Sequence, residues 1–216
     1  MKLLVFTLLI SLKAFATEQI PDILIYNGKE YEWRNSSPGM AYIEKFNFQL
    51  PKDAVETTAN YGYYIFTYTI ENDSLFLTDI TILIQKERNL DTRSVFNDFF
   101  KDTKKIHMQY SKIQTFPYGE KISLVKSNLT NTHYKHYLLF EFKDGKVVNK
   151  YDLDYKSFLT LKKKLFKKFR QTADYSKFKV TQKENLENLN KFKKRKVTMK
   201  KYLEFKILEL IKTLRT

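Results

Sequence analysis

Three short turn signals divide the first two thirds of the chain into extended runs. Asn27-Gly28, Glu71-Asn72-Asp73 and Asp144-Gly145 each separate stretches dense in β-branched and aromatic residues. Such dipeptides supply the positive φ that tight hairpins need, so the flanking runs are expected to pair antiparallel. Ile23-Leu24-Ile25-Tyr26 before the first turn and Lys29-Glu30-Tyr31-Glu32-Trp33 after it form the clearest pair. Residues 61–70 and 74–84 make a second. In the latter run Leu75, Leu77, Asp79, Thr81 and Leu83 alternate with Phe76, Thr78, Ile80, Ile82 and Ile84, and a strict period of two places each set on its own face. Both sets are largely apolar, which predicts a central strand covered on both sides.

Further strands are expected over 106–116, 121–126, 134–142 and 146–152. Asp91 or Thr92 is a candidate cap for one small helix reaching Lys101, with Val95, Phe96, Phe99 and Phe100 on its apolar side. Residues 35–39 and 50–53 read as loops. About eight strands joined by short turns around one helix predict an α+β chain built on an antiparallel sheet or sandwich, with no βαβ repeat.

After Asp154 the periodicity becomes helical. Tyr155, Phe158, Leu159, Leu161, Leu165, Phe166 and Phe169 line one side, while Lys162, Lys163, Lys164, Lys167, Lys168 and Arg170 take up much of the rest. A second helix is expected over 182–214, where Leu186, Leu189, Phe192, Met199, Leu203, Ile207, Leu210 and Leu214 approximate a 3-4 spacing. At that length it either packs across the β body, pairs with a second copy, or lies on a membrane surface. The division expected is thus a β-rich unit over 17–153 and a basic amphipathic helical region over 154–216, of which 180–216 is an extension.

Charge follows the same boundary. Of the net +15, residues 156–216 account for all, with 20 Lys and Arg against 5 Asp and Glu, whereas residues 17–155 carry 17 against 19. A neutral body with a basic end suits contact with anionic surfaces. Lys outnumbers Arg 33 to 6, which disfavours planar, bidentate phosphate reading. Codons of an AT-rich genome would also enrich Lys, but they do not explain why the acids thin out only in the last quarter.

Residues 1–16 read as a secretory leader. Lys2 supplies the positive start, residues 3–12 an apolar core, and Ala14-Phe15-Ala16 the small residues of a cleavage site, so Thr17 is the expected mature start. A retained anchor is the weaker reading, because Lys13 and Thr17-Glu18-Gln19 interrupt the run short of roughly 20 apolar residues. The chain contains no cysteine, which removes lipoprotein anchoring, disulfides and thiolate metal sites. An exported product, periplasmic or secreted, is the expectation.

Ile25-Tyr26-Asn27-Gly28-Lys29-Glu30-Tyr31, Leu75-Phe76-Leu77-Thr78-Asp79-Ile80 and Phe140-Glu141-Phe142 before Asp144-Gly145, together with the helix over 155–169, resemble an uncharacterised family of small exported bacterial proteins. The resemblance spans about 20–179 and implies export, but carries no activity, ligand or site residue.

Chemistry-bearing motifs are sparse. His133 and His136 stand three apart in a strand and so face opposite ways, and His107 is alone; no metal site is expected. No serine lies in a nucleophile elbow, and five glycines in the whole chain form no phosphate or dinucleotide cradle, so no cofactor is expected. Asn35, Asn72 and Asn128 begin sequons of the kind an Asn-rich chain contains by chance. Trp33 reads as core ahead of a glycan-stacking platform. Asp79 and Glu141, acids inside apolar strands, are the only candidate catalytic residues.

These readings lead to an exported non-enzymatic protein that binds or assembles in the cell envelope. Lys162, Lys163, Lys164, Lys167, Lys168, Lys193, Lys194, Arg195 and Lys196 would contact an anionic lipid, polysaccharide or acidic protein, and the last helix is a candidate surface for oligomerisation. The alternative is a hydrolase of envelope polysaccharide using the strand carboxylates. Nucleic acid has the matching charge but sits in the wrong compartment.

Overall fold

The computed structural model describes residues 19–34, 37–60, 62–123, 132–193 and 195–215. The leader, the Asn128 sequon and Lys194 lie outside them. The fold is α+β: nine strands in one mixed sheet, with helices gathered mainly at the C-terminal end. In chain order these are β1 (Asp22–Tyr26), β2 (Lys29–Trp33), α1 (Gly39–Phe46), β3 (Tyr64–Glu71), β4 (Ser74–Lys86), β5 (Asn89–Ser94), α2 (Phe96–Phe99), β6 (Ile106–His107), β7 (Ile113–Ser123), β8 (Thr132–Lys143), β9 (Lys146–Asp154), α3 (Tyr155–Phe169), α4 (Ala173–Thr181), α5 (Lys183–Lys191), α6 (Met199–Phe205) and α7 (Ile207–Leu210).

Strand order is β2-β1-β3-β4-β9-β8-β7, with β5 and β6 pairing the far edge of β4. The three turn signals close the β1–β2, β3–β4 and β8–β9 hairpins as their sequences predict. Asn27 and Gly28, Asn72 and Asp73, and Asp144 and Gly145 all carry positive φ. One pair departs from the antiparallel expectation, because β1 and β3 run parallel. The crossover through α1 returns the chain to the end from which β1 started. Pro38 and Asn47 bracket α1, and Asn47 is left-handed at φ 50°, the usual way to stop a helix.

The sheet curls until the β1–β2 hairpin stacks over the inner face of β7–β9. Tyr31 meets Tyr118 edge-on at 5.4 Å, and Lys150 Nζ donates to Tyr26 Oη at 2.6 Å. Inside the curl Trp33 is 2% exposed and contacts Tyr68, Tyr110, Phe116 and Phe142. It is core, as the sequence suggested.

Strand β4 corrects the simple period-two reading. Its register slips between the Thr67–Asp79 and Tyr68–Leu77 pairs, leaving Thr78 as an extra residue. A bulge of this kind swaps the face of everything after it. Leu75, Leu77, Ile80 and Ile82 therefore share the core face and are all fully buried. The strand covered on both sides is β8: Leu138, Phe140 and Phe142 enter the Trp33 core, while Tyr137 and Leu139 enter a second core under the helices. The helix expected from Asp91 shrinks to α2, since residues 89–94 extend as β5 against β4 beyond the turn at Glu87.

Gly145 sits where three strands converge. Its N–H donates to Tyr110 O (2.9 Å), its carbonyl accepts from Leu75 N (2.8 Å), its φ is 80°, and an added Cβ would run into the Met108 carbonyl. Gly145→Ala combines left-handed strain with overpacking and is expected to lower stability by about 2–3 kcal/mol. Urea denaturation tests this; an unchanged midpoint would contradict the packing.

The expected helix over 182–214 is instead three short helices, α5, α6 and α7. Four successive cations at 193–196 crowd like charge where a helix would have to continue. Asn190 then folds the chain back: its Oδ1 accepts from Val197 N (2.8 Å) and its Nδ2 donates to Val197 O (3.0 Å). Thr198 caps the restart by accepting from Lys201 N. Leu203, Ile207 and Leu214 are fully buried in the core that also holds Tyr137 and Leu139, so this part of the stripe is packed on the sheet, whereas Phe192, also on the expected stripe, is 88% exposed.

Candidate functional site

Helix α3 starts where Asp154 accepts from Ser157 N at 2.7 Å. That backbone bond, with one from the Ser157 hydroxyl, holds the Asp154 carboxyl below the ordinary range. The helix buries Phe158, Leu165, Phe166 and Phe169, each worth roughly 1.5–3 kcal/mol of removed apolar surface. Phe158 lies flat on Tyr137 with ring centroids 3.9 Å apart. With that side committed to β8, Lys163, Lys164, Lys167 and Lys168 face solvent, and none of the four forms an ion pair among the described residues.

Lys162 behaves differently from its neighbours. It is half-buried, its Nζ donates to Phe205 O at 2.8 Å, and the ammonium lies over the Phe158 and Phe205 rings at 5.5 and 5.2 Å. Burial pushes its pKa down to about 8 against the partial support of Glu204 and Glu209. It therefore belongs to the interior between α3 and α6, and is corrected out of the solvent-facing basic surface. In the other predicted cluster Lys193 is half-buried, Arg195 and Lys196 are exposed, and Lys196 Nζ donates to Asn190 O at 2.6 Å.

Beside Lys162 runs a groove of about 2030 Å³. Strand β7 and the two ends of β8 form one bank; α3, α6, α7 and the segment after α7 form the other. Ile113, Pro117, Tyr137, Phe158, Leu208 and Ile211 supply its apolar surface. Lys112 and Lys143 line the strand bank, and Lys163, Lys196, Lys201, Lys206 and Lys212 the helical bank. The five lysines at 112, 143, 201, 206 and 212 carried no signal in the sequence, because only the fold brings such distant positions to one rim. His133 also lines the groove, its ring 5.0 Å from that of Tyr155; burial and the nearby Lys162 charge lower its pKa. His136 faces the other way and stacks on Tyr118, and no cluster of three or more metal-ligating residues occurs among the described residues.

The two flagged acids sit apart, each with its own partners. Asp79 Oδ1 accepts from Ser94 Oγ (2.6 Å) and from Ile80 N (2.8 Å) beside the β4 bulge. Glu141 is buried on the helix side of β8, where its Oε2 accepts from Asn149 Nδ2 (2.7 Å), Leu214 N (2.7 Å) and Thr213 Oγ1 (3.2 Å). A carboxylate so occupied ties the end of the helical layer to the sheet. Compared with family models, with curated proteins and with solved structures, the chain matches none.

Proposed function

We propose that this is an exported, non-enzymatic binding protein that docks on an anionic envelope surface, lipid in the first instance, through the solvent face of α3. The observation that carries the reading is the row of Lys163, Lys164, Lys167 and Lys168, exposed and without ion-pair partners among the described residues, on a helix whose opposite side is fixed to the sheet. The surrounding region holds 20 basic against 5 acidic residues, so neighbouring side chains reinforce the field. Because Phe158, Leu165, Phe166 and Phe169 of α3 are buried against the sheet, the contact made by this helix is electrostatic, resting on the surface without insertion of its apolar face.

The hydrolase alternative is less well supported, since Asp79 lies outside the groove and Glu141, which lines it, has its Oε2 occupied by Asn149, Leu214 and Thr213. The docking reading is tested by sedimentation with phosphatidylglycerol-containing vesicles at about 50 mM and about 0.5 M salt, where screening lengths differ severalfold. Binding is expected at low salt and lost at high salt. Reversal of all four lysines to glutamate should weaken it at least about a hundredfold, since each cation contributes on the order of 1 kcal/mol near such a surface. Equal binding to neutral vesicles, or full retention in the quadruple variant, would refute it.

A further inference from the structure

The groove calls for a different occupant from the flat face of α3. It runs from β7 past α3 to α6, α7 and the segment after α7, and a long path of this kind suits an elongated guest more than a compact one. Its surface is mixed in a specific way: apolar side chains along the sheet and α7, lysines on both rims, and one cation, Lys162, set among aromatic rings at the inner wall. A cation held out of water gains more from an incoming anion than an exposed lysine does. Of the acids in the lining, Glu141 is engaged by Leu214 and Asn149 and Glu209 by Lys206, which leaves Glu204 as the carboxylate an incoming anion has to compete with at Lys162. An extended peptide added to β7 fits less well, because Pro117 removes a donor from that edge strand.

We propose that the groove binds a long-chain carboxylate, a fatty acid, with its headgroup on Lys162 and its chain along Phe158, Tyr137, Leu208 and Ile211. This goes beyond surface docking and does not depend on it. The carboxylate would replace the Phe205 carbonyl as the principal partner of the ammonium, and the chain would cover apolar surface now open to water.

Direct titration of the full chain with oleate below its micelle concentration tests the assignment, with oleyl alcohol as the neutral comparison. About one equivalent of oleate is expected to bind saturably, at least about tenfold more tightly than the alcohol. Lys162→Met should remove that preference. Thr115→Trp, a strand-compatible change on the groove bank, should block both ligands while leaving the Lys162 environment in place. Circular dichroism identifies a variant that fails to fold, and the second variant then carries the test.

The pH profile adds a signature. Above about pH 8 the Lys162 ammonium loses its proton, so affinity for oleate should fall by up to about tenfold per pH unit. The groups facing it do not mimic this. His133 is already neutral there, the Tyr155 hydroxyl is raised by burial, and Lys206 is held charged by Glu209; Glu204 and Glu209 are the acids that face the ammonium. Oleate that adsorbs without saturation, binds no better than oleyl alcohol, or ignores both substitutions would overturn the inference. Retention of oleate binding by a triple variant, Lys164→Glu, Lys167→Glu and Lys168→Glu, which spares the groove-lining Lys163, together with weakened vesicle binding, separates the two sites.

Discussion

Glu141→Ala is expected to lower the unfolding free energy by roughly 2–4 kcal/mol, because it strands buried donors that the carboxylate now satisfies. The Leu214 N–H is the costliest of these, since Leu214 is fully buried and its donor has no route to water, whereas the Thr213 hydroxyl is free to rotate. Glu141→Gln keeps an acceptor oxygen where all three donors converge on Oε2 and should lose at most about half as much, the loss coming from the weaker bonds to a neutral acceptor. A second readout follows the segment itself. Freed from β8, the chain around Lys212 should become a faster trypsin site in Glu141→Ala, under conditions where the rest of the protein resists cleavage. Unchanged stability and unchanged cleavage together would mean that the carboxylate does not tie this segment down.

Trp33→Ala should be more damaging still, at roughly 3–5 kcal/mol. The indole contacts rings from β3, from β7, from β8 and from the segment just before β7, so its removal opens a void where the two halves of the curled sheet meet. Surrounding strands held by hydrogen bonds collapse poorly into such a void, which places the cost at the upper end of large-to-small substitutions. Against a total stability of roughly 5–15 kcal/mol for a domain, the alanine variant is expected to be partly unfolded at 37 °C. Trp33→Phe should recover more than half of the loss. Guanidinium denaturation followed by circular dichroism measures both; an alanine variant within 1 kcal/mol of the parent, well inside that range, would show that the hairpin does not close over this core.

The parts of the fold legible in the sequence are those set by local chemistry. The hairpin at Asn27-Gly28, the turn at Asp144-Gly145 and the amphipathic run of α3 each depend on residues within one or two turns of chain, and each formed where its pattern predicts. Those that escaped depend on distant partners. The bulge at Thr78 exists because β3 and β4 slip against each other, and it alone moves Ile80 and Ile82 to the face of Leu75 and Leu77. The parallel pairing of β1 with β3 is imposed by a crossover of more than thirty residues. Helix α1 carried boundary signals in Pro38 and Asn47, but eight residues are too few for periodicity to stand out.

The break of the last helix was legible in principle, since four adjacent cations followed by Val197 and Thr198 are a poor helix interior and a good restart. The absence of Gly and Pro was the weaker guide. At the site, the basic face of α3 was readable because it belongs to a single helix. Lys162 was not separable from its neighbours by spacing alone: its difference comes from Phe205, contributed from 43 positions away. The groove was invisible for the same reason.

Thr78 has a consequence for how this strand tolerates change. As the extra residue against β3 it offsets the odd spacing between Leu77 and Ile80. Deleting it would restore an even ladder with Leu75, Leu77, Ile80 and Ile82 still alternating onto the core face, whereas deleting Thr81 while the bulge remains would turn Ile82 and its neighbours outward to water. One-residue gaps in any aligned set of related chains should therefore be tolerated at the bulge and avoided between Ile80 and Ile82.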